Sequence, residues 1–172
     1  MTDRKQLAIE IHKPIRHKFP RRRVIVSHID HVWASDLVEM PPERGYKFIL
    51  TIVDVFSKFA WAIPLKSKTG QEMTETFERV FKESGRIPKK IWSDKGREYY
   101  NKTFRSLLDR HGIELYSTES ELKCSVAKRF NRTLKDLMYR KFTELDSNKW
   151  VKLVPELVNE YNHRVHRTIK IR

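Results

Sequence analysis

The sequence predicts an α/β domain with a five-stranded mixed sheet flanked by helices on both faces. Tyr46 to Val55 (YKFILTIVDV) is a run of β-branched and aromatic residues and reads as a buried strand. Lys58 to Leu65 places Phe59, Trp61, Ile63 and Leu65 at alternate positions, the period of a strand with one face in the core. Beyond Thr69 the apolar spacing changes to that of a helix, and strands and helices alternate from there on, which calls for helices on both faces of a sheet.

Each element has its own signal. His31 to Met40 is a mixed apolar stretch closed by Pro41-Pro42, read as a strand ended by a turn. The short Phe56-Ser57 connection makes the second and third strands antiparallel neighbours. Thr69 with Glu72 is a capping box opening a helix whose core residues are Met73, Phe77, Val80 and Phe81, and which ends near Gly85. Ile87 to Ser93 reads as the fourth strand, Lys102 to His111 as a helix stopped by Gly112, and Ile113 to Ser117 as the fifth strand. Thr118 to Lys123 is polar and reads as a loop. A long helix from Cys124 to Phe142 carries a core stripe of Ala127, Phe130, Leu134, Leu137 and Met138, with Lys128, Asn131, Arg132, Lys135 and Tyr139 on a different face. The last helix presents Trp150, Leu153, Val154, Leu157, Val158 and Tyr161, and Pro155 either kinks it or begins its main part.

Length and charge narrow the function classes. The 172 residues suffice for one domain with a real core: residues 31–172 form the domain, and residues 1–30, polar, basic and without clear periodicity, form an arm or linker. No run approaches the roughly 18–20 apolar residues of a membrane helix, and MTDRKQLAIE lacks the apolar stretch of a signal peptide, so an intracellular protein without a membrane partner is expected. The single Cys124 excludes an internal disulfide and a Cys-rich zinc finger in this segment, and reads as a small thiol near a helix start. His163 and His166 have no Cys nearby, so no zinc is expected. Thirty-six Lys and Arg against 22 Asp and Glu give a net charge of +14, which points to a polyanion, with nucleic acid first. The charge gathers in three places: residues 1–23 including Arg21, Arg22 and Arg23, residues 122–142, and an acid-free tail with Arg164, Arg167, Lys170 and Arg172.

Two acids stand out. Asp36 lies inside the otherwise apolar Trp33–Leu37 strand, where a carboxylate is costly unless paired, hydrogen-bonded or metal-bound. Asp94 ends a strand where the Lys95-Gly96 turn begins, the place at which open α/β sheets carry ligand groups. Carboxylates converging from separate elements are what a two-metal phosphoryl-transfer site needs. Turn or capping aspartates are the competing reading for each.

Several ordered motifs together resemble the integrase core shared by retroviruses, long-terminal-repeat retrotransposons and Maverick or Polinton transposons. They are Arg21-Arg22-Arg23-Val24 before Ile29-Asp30, Trp33 to Leu37, Val53 to Lys58, Ser93 to Tyr99, Phe130 to Lys135, and Tyr161-Asn162-His163 with His166. The resemblance covers about residues 20 to 172, and the wording is nearest the Maverick or Polinton group. It implies an RNase H-like fold and a polynucleotidyl transferase that uses Mg²⁺ or Mn²⁺ to process the 3′ ends of its own element and insert them into target DNA. It also implies self-association as a dimer or higher oligomer, no small-molecule cofactor, and a nuclear location in a eukaryotic host.

The family's Asp, Asp, Glu triad carries over to Asp36 and Asp94 as metal ligands, whereas the Glu position is Lys128, 34 residues after Asp94 (128 − 94). An ammonium group is a donor only, so metal binding is expected to be weak and strand transfer impaired. Glu119 and Glu121 lie in the presumed loop and would have to move to substitute. Asp54 resembles a structural position supporting the turn with Ser57. The expected DNA contacts are Lys95, Asn131, Arg132 and Lys135 with Arg21, Arg22 and Arg23. The competing readings are a catalytically dead, domesticated integrase-derived DNA-binding protein and, further off, an RNase H or resolvase-type nuclease.

Overall fold

The computed structural model describes residues 2–12, 24–117 and 124–166. Arg21 to Arg23, residues 118–123 with Glu119 and Glu121, and residues 167–172 lie outside the described residues.

Strands β1 (Val32–Glu43), β2 (Tyr46–Asp54), β3 (Ala60–Leu65), β4 (Lys90–Ser93) and β5 (Glu114–Ser117) form one sheet in the order β3-β2-β1-β4-β5. The β1–β2 and β2–β3 pairs are antiparallel, and β1–β4 and β4–β5 are parallel. Helices α2 (Gly70–Ser84) and α3 (Lys102–His111) pack on one face, and α4 (Ser125–Leu145) and α5 (Leu153–His163) on the other. Because both faces are covered, β2 is buried on both sides: Leu50 and Ile52 meet Phe77 and Phe104, while Ile49 and Val53 meet Phe130, Leu134 and Leu157. This explains the unbroken apolar run of β2. The same holds for β3, where Ala60 is buried on the α4–α5 side while Trp61, Ile63 and Leu65 pack on the other.

The helix ends follow their caps. Thr69 Oγ1 accepts from Glu72 N at 3.3 Å, but the Glu72 carboxylate reaches back past Thr69 to Ser67 N and Lys66 N, both at 2.8 Å. The capping box thus fastens the end of β3 to the start of α2. Gly85 and Gly112 end α2 and α3 with φ of 64° and 63°, the left-handed region that costs glycine nothing. Pro155 occupies the first turn of α5, where its missing N–H breaks no helical bond.

Three expectations are corrected. Strand β1 does not stop before Pro41-Pro42 but runs through both. It can do so because β4 pairs only with Val32 to Ala34, which leaves this end of β1 with a single neighbour, and because the β1–β2 register shifts between Glu39 and Glu43. The extension is used: Pro41 O accepts from Trp150 Nε1 at 2.8 Å, and Glu43 Oε2 accepts from Val151 N at 2.9 Å, fastening the approach to α5. Second, β4 begins at Lys90 rather than Ile87, with Pro88 in the approach. Third, the N-terminal arm contains a helix, α1 (Thr2–Ile11), packed on α4. Its contact rests on Ala8, buried to 2% exposure, and on His12 Nε2 at 3.0 Å from Thr143 Oγ1. One small buried residue leaves no apolar stripe for periodicity to find.

Arg86 joins the segment before β1 to the β2–β3 turn. Its guanidinium donates to Asp30 through Nε (3.0 Å) and Nη2 (2.7 Å), and Nη2 also donates to Asp54 Oδ2 at 2.9 Å. It lies 5.0 Å from the Trp61 ring centroid and 5.5 Å from that of Phe59. Asp54 is fully buried and holds the turn, accepting from Ser57 Oγ at 2.5 Å and Phe56 N at 3.2 Å, the structural role expected of it. Removing the cation leaves two carboxylates facing each other around a buried position. Arg86→Met is therefore expected to cost about 3–5 kcal/mol of stability, read from urea denaturation midpoints at constant m-value.

Candidate active site

The parallel pairing of β1 with β4 builds the site. Val32, Trp33 and Ala34 stand opposite Lys90, Ile91 and Trp92, so the same register carried two residues further sets Asp36 beside Asp94. Side chains alternate along a strand, and Ala34 and Trp92 both face the start of α4 together with Ala127. Asp36 lies on that face, and Asp94, one residue past the end of β4, is near enough to act on its charge. The Cys124 thiol sits 3.3 Å from Ser35 O and 3.1 Å from Trp92 O, tying the entry of α4 to both strands one turn before Lys128. Burial first, and the nearby Asp36 carboxylate second, push this thiol up to about 12, so it stays protonated and serves as an inert structural donor.

Asp36 is held by three elements. Its Oδ1 accepts from Leu37 N at 3.0 Å and its Oδ2 from Asn131 Nδ2 at 2.9 Å. The Thr51 hydroxyl on β2 lies 2.7 Å from Asn131 Oδ1 and 3.0 Å from Asp36 O. Burial is the main cause that raises the Asp36 carboxyl above its usual value; the Leu37 N–H opposes it, Asp94 adds to it, Lys128 opposes it and Glu98 adds to it. Asp36, Asp94, Lys128 and Glu98 therefore share one electrostatic neighbourhood. Lys128 is exposed and acts on Asp36 through its field; among the described residues it closes no ion pair with either aspartate. On the sheet's other face, the buried Tyr99 hydroxyl lies 2.8 Å from Ser35 Oγ and supports the strand beneath the site.

The remaining candidates divide. Lys95 is exposed in the turn after Asp94, Arg132 is exposed on α4, and Lys135 is half-buried there. Asn131, expected among the DNA contacts, is 9% exposed, with its amide committed to Asp36 and Thr51. It is a positioning residue, because the side of α4 that follows Lys128 turns inward onto β1 and β2. Glu98 was missed. Its carboxylate folds against Gly96, where an added Cβ would collide with it, and it reaches the field of Asp36. The Asp94-Lys95-Gly96-Arg97-Glu98 spacing was visible in the sequence, but only the turn returns Glu98 to the site.

The matches to known proteins follow this geometry. Residues 27–120 match the integrase core domain family. The chain belongs to that family. A transposon-derived protein of Caenorhabditis elegans is 38% identical over 125 residues, covering 73% of this chain and 44% of that protein. The Gag-Pol polyprotein of feline leukemia virus is 30% identical over 127 residues, covering 72% of this chain and 7% of the polyprotein. The integrase core thus spans less than half the length of either relative. The simian T-cell lymphotropic virus intasome, solved with PP2A regulatory subunit B56 gamma, superposes with a TM-score of 0.76 at 21% identity, covering 91% of this chain and 57% of that one. The HTLV-2 integrase catalytic core solved with magnesium in a trimeric form gives 0.64 at 18%, covering 83% and 92%. At those identities the likeness is one of fold, and the fold is the RNase H-like fold of retroviral integrase cores.

The donor set suits a hard divalent cation only in part. Carboxylate oxygens of Asp36 and Asp94 suit Mg²⁺ or Mn²⁺, and Mg²⁺ commonly takes one or two protein carboxylates and keeps waters. Lys128, which acts on Asp36, offers only an ammonium group, and among the described residues no three His, Cys, Asp or Glu side chains gather as a metal-holding group. Among the described residues the two aspartates suit one ion and no third ligand group stands with them.

Folding raises the Asp36 carboxyl, so its proton is held more tightly in the folded chain than in the unfolded one. Its contribution to stability is full below the unfolded value of 3.8 and is lost as pH rises through the folded value. In chelator, Asp36→Asn is expected to gain thermal stability relative to the parent at about pH 7 and to lose that gain near about pH 4. Paired melting curves across this range measure it, and a pH-independent difference would count against the burial effect.

Proposed function

We propose that this chain is a DNA integrase or transposase core of the polynucleotidyl-transferase type whose strand-transfer activity is impaired by Lys128 at the third ligand position. The observation that carries this reading is Asp36 on β1 with Asp94, just past the end of the parallel strand β4, and Lys128 both acting on its charge. The family supplies the reaction class: water attacks at the 3′-end processing step and the new 3′-hydroxyl attacks at strand transfer. When bound, divalent cations stabilise charge on the phosphoryl oxygens and on the attacking and leaving oxygens.

The chain's own residues have separate tasks. Asp36 and Asp94 hold the metal, and Asn131 with the Leu37 N–H fixes which lone pairs Asp36 presents. Arg132 and Lys135 on α4, with Lys95 in the turn and Arg21 to Arg23 in the arm, bind backbone phosphates. Lys128 replaces a metal ligand by a like-charged group, a change of two charge units beside Asp36. It weakens metal binding twice over, by the lost oxygen and by repulsion.

The same residue favours a second reading, a domesticated, catalytically silent DNA-binding protein. The nuclease alternative draws no specific support from the site. The motif wording and the transposon-derived relative favour a transposon parent, of the Maverick or Polinton group. The HTLV-2 cores, solved in trimeric and dimeric forms, support self-association. A nuclear location in a eukaryotic host follows from this reading.

The test is strand transfer from a short blunt DNA end in Mg²⁺ or Mn²⁺, comparing the chain, Lys128→Glu, and Lys128→Glu combined with Asp94→Asn. Restoring the ligand is expected to raise activity by more than about 100-fold and the added Asp94→Asn to abolish it, since even residues behind a metal ligand are worth about 10- to 100-fold. Lys128→Glu is also expected to show a larger Mg²⁺-dependent rise in melting temperature than the parent at the same Mg²⁺ concentration. Full activity of the unaltered chain would overturn the impaired-site reading, and binding of DNA with no activity in any variant would favour the silent one.

A further inference from the structure

The acidic site leaves the other flank of α4 unused, and there the basic residues of the C-terminal segment converge. A cleft of about 320 Å³ opens between the β2–β3 turn and the end of α5, with Lys58, Arg86, Arg164 and His166 on its walls. A smaller hollow beside it shares Lys58, Arg164 and His166 and adds Arg129 and Thr133 from α4. Among the described residues no carboxylate lines either one. Arg86 is outweighed by its two carboxylate partners, Asp30 and Asp54, so the positive charge offered to a ligand comes from Lys58, Arg129 and Arg164.

Lys58 and Arg164 are held in place. Lys58 has φ of 66°, a left-handed conformation unusual for a side-chain-bearing residue, and its Nζ donates to Val55 O. Burial and the charge of Arg129 lower its hold on its proton, which marks positive charges crowded together. Arg164 lies 4.8 Å over the Tyr161 ring. The rim is rigid, since Asn162 both donates to Ala60 O and accepts from Ala60 N at 2.9 Å. A solvated basic surface needs no such ordering, and it would spread its cations apart. Cations crowded at one place, with Asp54 the one acid that the shift of Lys58 records, are suited to a compact anion with several acceptor oxygens.

We propose that this cleft binds a backbone phosphate of DNA, as a second contact on the flank of α4 opposite Lys128, Arg132 and Lys135. The proposal rests on the DNA-binding reading above and adds a site to it. A duplex phosphate at Lys58, Arg129 and Arg164 places α4 between two stretches of phosphate backbone, with the acidic pair on one side only.

The experiment is fluorescence anisotropy of a labelled duplex of about 20 base pairs, titrated between about 50 and 200 mM salt. It compares the full chain, Arg129→Gln/Arg164→Gln, and Arg132→Gln/Lys135→Gln, with melting curves confirming that each is folded. Loss of one or two phosphate contacts lowers the slope of log K against log salt by about 1 to 2, so the cleft double variant is expected to bind roughly tenfold more weakly at about 100 mM with a shallower slope. Arg164→Gln alone, beyond the last residue of α5, is expected to give part of that loss and covers the case of an unfolded double variant. Cleft variants that match the parent while Arg132→Gln/Lys135→Gln loses affinity would overturn the cleft and leave the DNA-binding reading standing. A parent chain without salt-dependent duplex binding would overturn both.

Discussion

The parallel register between β1 and β4 is the constraint on which the site depends. Parallel neighbours cannot be joined by a tight turn, so α2 must cross between them, and its cap and glycine stop set where β4 begins. Once Ala34 stands opposite Trp92, two carboxylates that are 58 residues apart (94 − 36) become neighbours. The Cys124 thiol, shared between carbonyls of the two strands, then fixes the entry of α4 and with it the position of Lys128. A slip of one residue in this pairing would turn one aspartate to the opposite face.

Burial of Asp36 next to Asp94 is a local conflict that the fold tolerates. The Leu37 N–H, the Asn131 amide and the field of Lys128 offset part of it. A glutamate in place of Lys128 would deepen the conflict, whereas the ammonium group opposes it through its field.

Arg86 plays the corresponding part for the scaffold. It compensates two carboxylates, one of them fully buried, and lies against Trp33, Trp61 and Phe59, so one side chain links the approach to β1, the β2–β3 turn and the exit from α2. Lys58, Arg129 and Arg164 beyond it close no ion pair among the described residues, although Lys58 lies in the field of Asp54, and this separates charge used for folding from charge left for a ligand.

Much of this was legible in the sequence. The 3.6-residue and two-residue periods located the main helices and strands, Thr69, Gly85 and Gly112 marked helix ends, and Asp36 stood out as an acid in an apolar strand, whereas Lys128 was singled out by the family resemblance alone. The first three depend on short-range chemistry: propensity, capping and the placing of a charge in an apolar run. Tertiary structure alone decided that β1 continues through Pro41-Pro42, that α1 packs through Ala8, that Asn131 turns inward to Asp36, and that Glu98 and Arg86 matter. Periodicity records which residues share a face of one element. Which neighbour covers that face, and which distant charge it meets, depends on the packing of separate elements, and that is where the site acquires its chemistry.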